Sequence, residues 1–229
     1  MAKAKTTPVM TAGTYLEAVL AARRQGQRQL AWAHLKAGQA LDPEGRLVGL
    51  ALEEADLLSV EGRPEAAREV LLLALKGHPK NAWVSRGLAD LAHRDGDIAN
   101  AWLYLKQAQA LDPEGKMAVL TLLEADLLIH EARLGEAESL LETMTQAHPE
   151  TVWGYLRLAT LRRETQGIEA EYDVLQEALI ARPGDVTIEL RLVEMDLAAN
   201  AWPVAAGRLE TLYAAQGPQP RILLPLLRC

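Results

Sequence analysis

The sequence predicts an all-α protein, an α-solenoid of antiparallel helix pairs that follow one another along the chain. The first observation is the spacing of six prolines at intervals of 36, 34, 36, 34 and 35 residues: Pro43, Pro79, Pro113, Pro149, Pro183 and Pro218. A fixed period of this length is typical of repeat proteins, in which each repeat is one small structural unit. Internal copying and the helical spacing of apolar residues support the same fold class.

A block of two units, 70 residues long, occurs twice. Segment 31–45 reads AWAHLKAGQALDPEG and segment 101–115 reads AWLYLKQAQALDPEG, so 11 of 15 positions are identical. The copy continues with EADLL at 54–58 and again at 124–128. The copy predicts that residues 70 apart occupy equivalent structural positions.

Each unit contains two predicted helices. In the third unit, apolar residues recur at helical spacing over 82–94, and a second amphipathic stretch runs over 98–111. Asp and Gly around Gly96 separate the two stretches, as these residues do at turns. Pro113 ends the second stretch, because proline disfavours helix in the residue before it.

We expect six such units between a flexible N-terminal arm over 1–12 and an apolar C-terminal tail or cap over 217–229. The units are predicted at 13–45, 46–79, 80–113, 114–149, 150–183 and 184–216. The fifth carries one extra residue in its turn, before Gly167. The sixth departs most from the pattern, as expected of a terminal repeat with one neighbour.

Small residues at fixed places in each unit resemble the tetratricopeptide repeat. Two positions at which helices cross carry alanine in four units each: Ala55, Ala89, Ala125 and Ala159, and Ala31, Ala67, Ala101 and Ala137. A glycine stands in the turn of the first three units, with Ala132 in its place in the fourth. The resemblance implies a right-handed superhelix whose small residues let helices approach to about 8 Å. It also implies a binding scaffold in which the first helix of each unit lines a concave groove.

Composition narrows the function classes. The net charge is −7 and no long basic run occurs, which argues against non-specific nucleic-acid binding. No apolar run approaches the length of a membrane span. The single cysteine, Cys229, cannot form a disulfide within the chain. We therefore expect a cytoplasmic protein without a membrane span.

Catalytic motifs are absent from the sequence. It contains no phosphate loop, no GxSxG, no CxxC and no HExxH. The five histidines do not pair at metal-ligand spacing, and the carboxylates of helix surfaces are usually solvated. We expect no enzyme, no cofactor and no metal site.

The resemblance implies a set of partner-binding residues on the first helices of the units: Trp83, Arg86, Asp90, Arg94, Leu122, Asp126, Trp153 and Arg163. Exposed tryptophans are strong interface anchors, and Arg86 with Arg94 could hold a carboxylate. Two alternatives stay open: the tryptophans could pack on a neighbouring helix, and Arg86 could pair with Asp90 one turn away. Aspartates at 56, 90 and 126 argue against an adaptor for the acidic tails of chaperones.

The predicted function is a scaffold that binds a peptide or protein in the concave groove. One alternative is a self-assembling structural protein, associating through stacked units or the apolar tail residues Ile222, Leu223, Leu224, Leu226 and Leu227. Another is the non-catalytic part of a larger enzyme or of secretion or polysaccharide machinery, as this family supplies in bacteria. The tail could instead fold back as a cap, or begin a further unit.

Overall fold

The structure is a computed structural model that describes residues 11–226. Within this range it contains helices and turns and no strand, which confirms the predicted all-α class. The helices are α1 (Ala12–Arg24), α2 (Arg28–Leu41), α3 (Val48–Val60), α4 (Pro64–Gly77), α5 (Ala82–Arg94), α6 (Ile98–Ala110), α7 (Ala118–His130), α8 (Leu134–Ala147), α9 (Val152–Gln166), α10 (Ile168–Ala181), α11 (Val186–Ala198), α12 (Trp202–Gln216) and α13 (Pro220–Leu226). Residues 1–10 of the predicted arm lie outside the described residues, and α1 already begins at Ala12.

The chain divides into two compact units, Met1–Lys116 and Met117–Cys229. In the first unit, α1 pairs with α2, α3 with α4 and α5 with α6, and the first helix of each pair also packs on the next, α1 on α3 and α3 on α5. In the second unit the pairs are α7 with α8, α9 with α10 and α11 with α12, and α7 packs on α9 and α9 on α11. Stacked helix pairs are therefore present within each unit, as the repeat pattern predicts.

The alanines of the repeat pattern form the helix crossings. Ala31, Ala67, Ala101 and Ala137 have no exposed surface, and the four at the other crossing position are also buried. Leucines complete the core around them, such as Leu35 and Leu105. A side chain larger than alanine would have to displace the facing helix, because protein interiors are packed at crystal-like density.

The turns between paired helices need a left-handed residue. Gly96 has φ of +77° between α5 and α6, and glycine adopts this conformation without a steric penalty. Ala132 takes the same place between α7 and α8 with φ of +59°. Its Cβ makes this conformation unfavourable for an L residue, so the turn of the fourth predicted repeat is strained.

The fifth predicted repeat replaces a crossing alanine with a carboxylate. Glu171 of α10 stands 70 residues after Ala101 and is fully buried. Its Oε1 lies 2.6 Å from Nη2 of Arg191, and its Oε2 lies 3.4 Å from Nη1 of Arg163. These two arginines belong to α11 and α9, so ionic contacts hold together three helices of the second unit.

The C-terminal segment folds back onto its own unit. Ile222 of α13 has no exposed surface and packs in a cluster with Val193 of α11 and with Ala205, Leu209 and Leu212 of α12. Ile222 is therefore part of this unit's core, as the capping alternative predicts, and is not available to another chain in this arrangement. The side chains of Leu224, Leu226 and Leu227 lie outside the described residues.

Candidate functional site

Helix α5 is positioned by a strong N-cap and a continuous apolar face. Asn81 accepts hydrogen bonds from the backbone N–H groups of Trp83 and Val84, which fixes the start of the helix. Leu88 and Leu91 anchor its inner face in the core. The remaining face turns toward α3 and presents four predicted site residues at intervals of three or four: Trp83, Arg86, Asp90 and Arg94.

These four residues line a pocket of about 230 Å³ between α3 and α5. The other lining residues are Leu52, Glu53, Ala55, Asp56 and Ser59 of α3, Leu71 of α4, and Gly87 and Leu91 of α5. The structure thus brings together all four site residues predicted in the first unit. It also adds a facing wall whose residues lie about 30 positions earlier in the chain.

Trp83 is on the surface and not in the core. The residue is 47% exposed, so neighbouring side chains cover about half of its surface. The guanidinium of Arg86 lies over the ring, 5.9 Å from its centroid. This is within the range of a cation–π contact and holds the arginine against the pocket wall.

Arg86 is paired within its own helix. Its Nη2 lies 2.6 Å from Oδ2 of Asp90, one turn along α5. Its Nε is buried without a hydrogen-bond partner. Arg94 is exposed, and its charge acts on Asp90 one turn earlier in the helix. The intrahelical pair of Arg86 with Asp90 is therefore formed.

The pocket disfavours charge on Asp90. Burial is the main reason that its pKa lies above the ordinary value for aspartate, and the charge of Asp56 adds to the effect. The charges of Arg86 and Arg94 oppose this shift without reversing it. Two carboxylates thus share a partly dehydrated space between α3 and α5.

Asp56 belongs to a second ionic group. Nη1 of Arg23 on α1 lies 3.2 Å from Oδ2 of Asp56 and also contacts Glu53. Burial alone would lower the pKa of Arg23. The hydrogen bond to Glu53 and the negative charges of Glu53 and Asp56 together raise it above its usual value. One arginine therefore serves two carboxylates, and half of the Asp56 side chain remains exposed.

The site residues predicted in the second unit have a different setting. Asp126 on α7 is engaged, because Nη2 of Arg157 on α9 lies 2.9 Å from its Oδ2. Arg163 is half-exposed and contacts buried Glu171. Trp153 is 66% exposed, and Leu122 is half-buried on α7. Both predicted anchors are thus surface tryptophans.

Sequence reasoning did not select Gly87 or Arg157 as site residues. They stand 70 positions apart. Gly87 lines the pocket, and Arg157 forms an ion pair with Asp126. Alignment of the two 70-residue copies could have found them, because it places a glycine at 87 opposite an arginine at 157.

The described residues contain no helix long and apolar enough to cross a membrane. They also contain no group of three or more His, Cys, Asp or Glu side chains that could hold a metal ion.

No family model matches the sequence, and no curated protein matches it. Solved structures do match. A thermophilic TPR protein of Thermus thermophilus has a TM-score of 0.65 and 16% identity, over 79% of this chain and 96% of that one. PilW, a type IV pilus biogenesis factor, has a TM-score of 0.63 and 17% identity, over 96% of this chain and all of that one (100%).

A chain of the APC/C hetero-tetramer Cut9-Hcn1 matches with a TM-score of 0.61 and 15% identity over 95% of this chain. The match spans 42% of that chain's length. At these identities the likeness establishes the fold. The chain therefore has the all-α fold of paired helices found in tetratricopeptide repeat proteins, as the spacing of its small residues predicts.

Proposed function

We propose that this protein is an interaction scaffold whose first unit binds a peptide segment of a partner protein in the pocket between α3 and α5. The observation that carries the proposal is the convergence of Trp83, Arg86, Asp90 and Arg94 on that pocket. A large exposed aromatic ring beside charged groups is the composition of an interface hot spot. A groove with apolar and ionic anchors suits an extended or helical peptide.

The similar structures support a scaffold in general terms. One is a chain of a hetero-tetramer and another is a factor in pilus biogenesis, so both names describe proteins that work in or for assemblies. Residence in the cytoplasm stays a prediction that rests on the single cysteine.

Self-assembly through the apolar tail is less well supported. Ile222 is buried against α11 and α12 of its own unit, so the tail does not present this residue to a second copy. Light scattering of the full chain at several concentrations tests this alternative, and a concentration-dependent mass would favour it. The other alternative is a non-catalytic part of a larger enzyme or of secretion or polysaccharide machinery. Such a part would use the same binding residues as the scaffold.

The proposal is tested by selecting random peptides from a display library with the full chain. The dissociation constants of the selected peptides are then measured by calorimetry. Trp83→Ala should weaken them at least tenfold with little change in melting temperature, because the ring is half-exposed. Trp202→Ala on α12 is the matched control, since its ring is exposed to a similar degree (43%).

Two results would contradict the proposal. One is a library that yields no peptide above background. The other is a set of peptides that Trp83→Ala and Arg94→Ala leave unaffected, which would place binding elsewhere.

A further inference from the structure

The two copies of the 70-residue block allow a residue-by-residue comparison of their helix pairs. Helix α3 begins at Val48 and α7 begins 70 residues later at Ala118, and α5 and α9 begin at Ala82 and Val152 with the same offset. Each pair also packs together in its own unit, α3 with α5 and α7 with α9. Residues 70 apart on these helices therefore occupy equivalent places.

At one pair of equivalent positions, the second unit has an aspartate and an arginine that form an ion pair. The first unit has only the aspartate at these positions. In the second unit, Arg157 of α9 reaches Asp126 of α7, with 2.9 Å between Nη2 and Oδ2. In the first unit the aspartate is kept as Asp56, but the arginine is replaced by Gly87. The first unit thus keeps the carboxylate, which pairs with Arg23 of α1, and has a glycine at the place on α5 from which Arg157 reaches across in the second unit.

A pocket lies beside Gly87, the residue that replaces the arginine. Gly87 and Asp56 are both in the wall of the 230 Å³ pocket. A Cβ at Gly87 would lie 3.3 Å from a methyl carbon of Leu71 and 3.5 Å from one of Leu52, so these two leucines close the pocket next to the backbone of α5. The pocket itself is lined by Asp56 and Ser59 of α3 and by Trp83 and Asp90 of α5.

We infer that this pocket takes a basic side chain of the partner peptide, an arginine or a lysine, in the place that Arg157 fills in the second unit. The inference rests on the proposed function and names the anchor that the peptide must carry. The cationic head would contact Asp56, whose side chain is half-exposed and shares Arg23 with Glu53. The stem would lie beside the ring of Trp83.

The charges favour a cation over a carboxylate at this place. Arg86 is already paired with Asp90, and Arg94 is exposed to solvent, which screens its charge. Burial is the main cause of the raised pKa of Asp90, and the negative charge of Asp56 adds a smaller repulsion. A cation placed between them relieves this repulsion, whereas a carboxylate would increase it. Arginine fits better than lysine, because its planar group stacks on aromatic rings and binds carboxylates with two hydrogen bonds.

The test uses three capped amino acids as probes of the full chain: N-acetyl-arginine methylamide, the same derivative of citrulline, and the same derivative of glutamate. Binding is followed by NMR through the amide signal of Gly87 and the indole signal of Trp83. Capped arginine should shift both signals and bind at least tenfold more tightly than capped citrulline, which has nearly the same shape without the charge. Asp56→Asn should remove this difference, and Glu69→Gln on the exposed face of α4 should preserve it.

A second variant tests the comparison of the copies directly. Gly87→Arg should place a guanidinium of the chain itself beside Asp56 and abolish the binding of capped arginine. Preference for capped glutamate, or equal shifts by arginine and citrulline, would overturn the inference.

The peptide selection described above separates this inference from the proposed function. Selected peptides that depend on Trp83 but carry no common basic residue would overturn the inference and leave the scaffold standing. Failure to select any peptide would contradict the proposed function, whatever the capped probes do.

Discussion

Arg86 and Asp90 form an ion pair one turn apart on α5, with 2.6 Å between Nη2 and Oδ2, yet the pKa of Asp90 is raised. Burial between α3 and α5 destabilises the carboxylate more than its arginine partner stabilises it, and Asp56 adds to the destabilisation. The net effect on ionised Asp90 therefore opposes folding, and carboxyl groups with shifted pKa values are frequent at functional sites.

The first prediction concerns the pH dependence of this destabilisation. A carboxyl group whose pKa is higher in the folded state binds more protons there, so stability falls as pH rises from the unfolded toward the folded pKa. Asp90→Asn removes this dependence and should make the protein at least as stable as the wild type at pH 7. The measurement is urea unfolding of both proteins between pH 3 and pH 7.

The difference between the two unfolding free energies should favour the variant more at pH 7 than at pH 3. A difference that favours the wild type more as pH rises would show that the arginine pair outweighs burial.

The second prediction tests the helix crossing at Ala101. This residue of α6 has no exposed surface, so Ala101→Leu should overpack the joint and destabilise the protein by about 1–3 kcal/mol. Ala99→Leu on the same helix is the control, because Ala99 is exposed. Denaturant unfolding measures both, and equal effects would show that the assignment of the buried face is wrong.

The third prediction concerns the strained turn at Ala132. Its φ of +59° is unfavourable for alanine, so Ala132→Gly should stabilise the protein by about 0.5–1 kcal/mol after the entropy of glycine is deducted. Gly96→Ala, at the equivalent turn with φ of +77°, should have the opposite sign. Calorimetric melting temperatures compare the two, and shifts in the same direction would contradict the argument.

The fourth prediction concerns the buried carboxylate of Glu171. Glu171→Gln keeps the shape but removes the charge that faces Arg191 and Arg163, and should destabilise the protein by about 1–3 kcal/mol. Glu194→Gln removes a carboxylate from the exposed end of the same network, where 66% of the side chain is accessible, and should cost less than about 0.5 kcal/mol. Chemical denaturation of the two variants distinguishes a structural carboxylate from a solvated one.

The helices were predictable because their signals are local. The stretch expected over 82–94 coincides with α5, and the one expected over 98–111 differs from α6 by one residue. Turn residues such as Gly96 and the prolines of the repeat act within a few positions of themselves. The burial of the crossing alanines followed from the same period.

The candidate site was only partly predictable. Trp83, Arg86, Asp90 and Arg94 lie on one helix, so helical spacing alone places them on one face. The facing wall with Asp56 comes from another helix. Gly87 was not selected because a glycine has no chemistry of its own, and only its position opposite Asp56 makes it part of a pocket.

By itself, the sequence determined the all-α class, the paired helices and the small residues at their crossings, since these depend on neighbours within a few turns. Tertiary structure alone decided that Arg163 meets buried Glu171, that Trp83 and Trp153 are exposed, and that Ile222 is buried. The physical reason is that these outcomes depend on distances between separate helices, which the packing of whole side chains sets and no local pattern records.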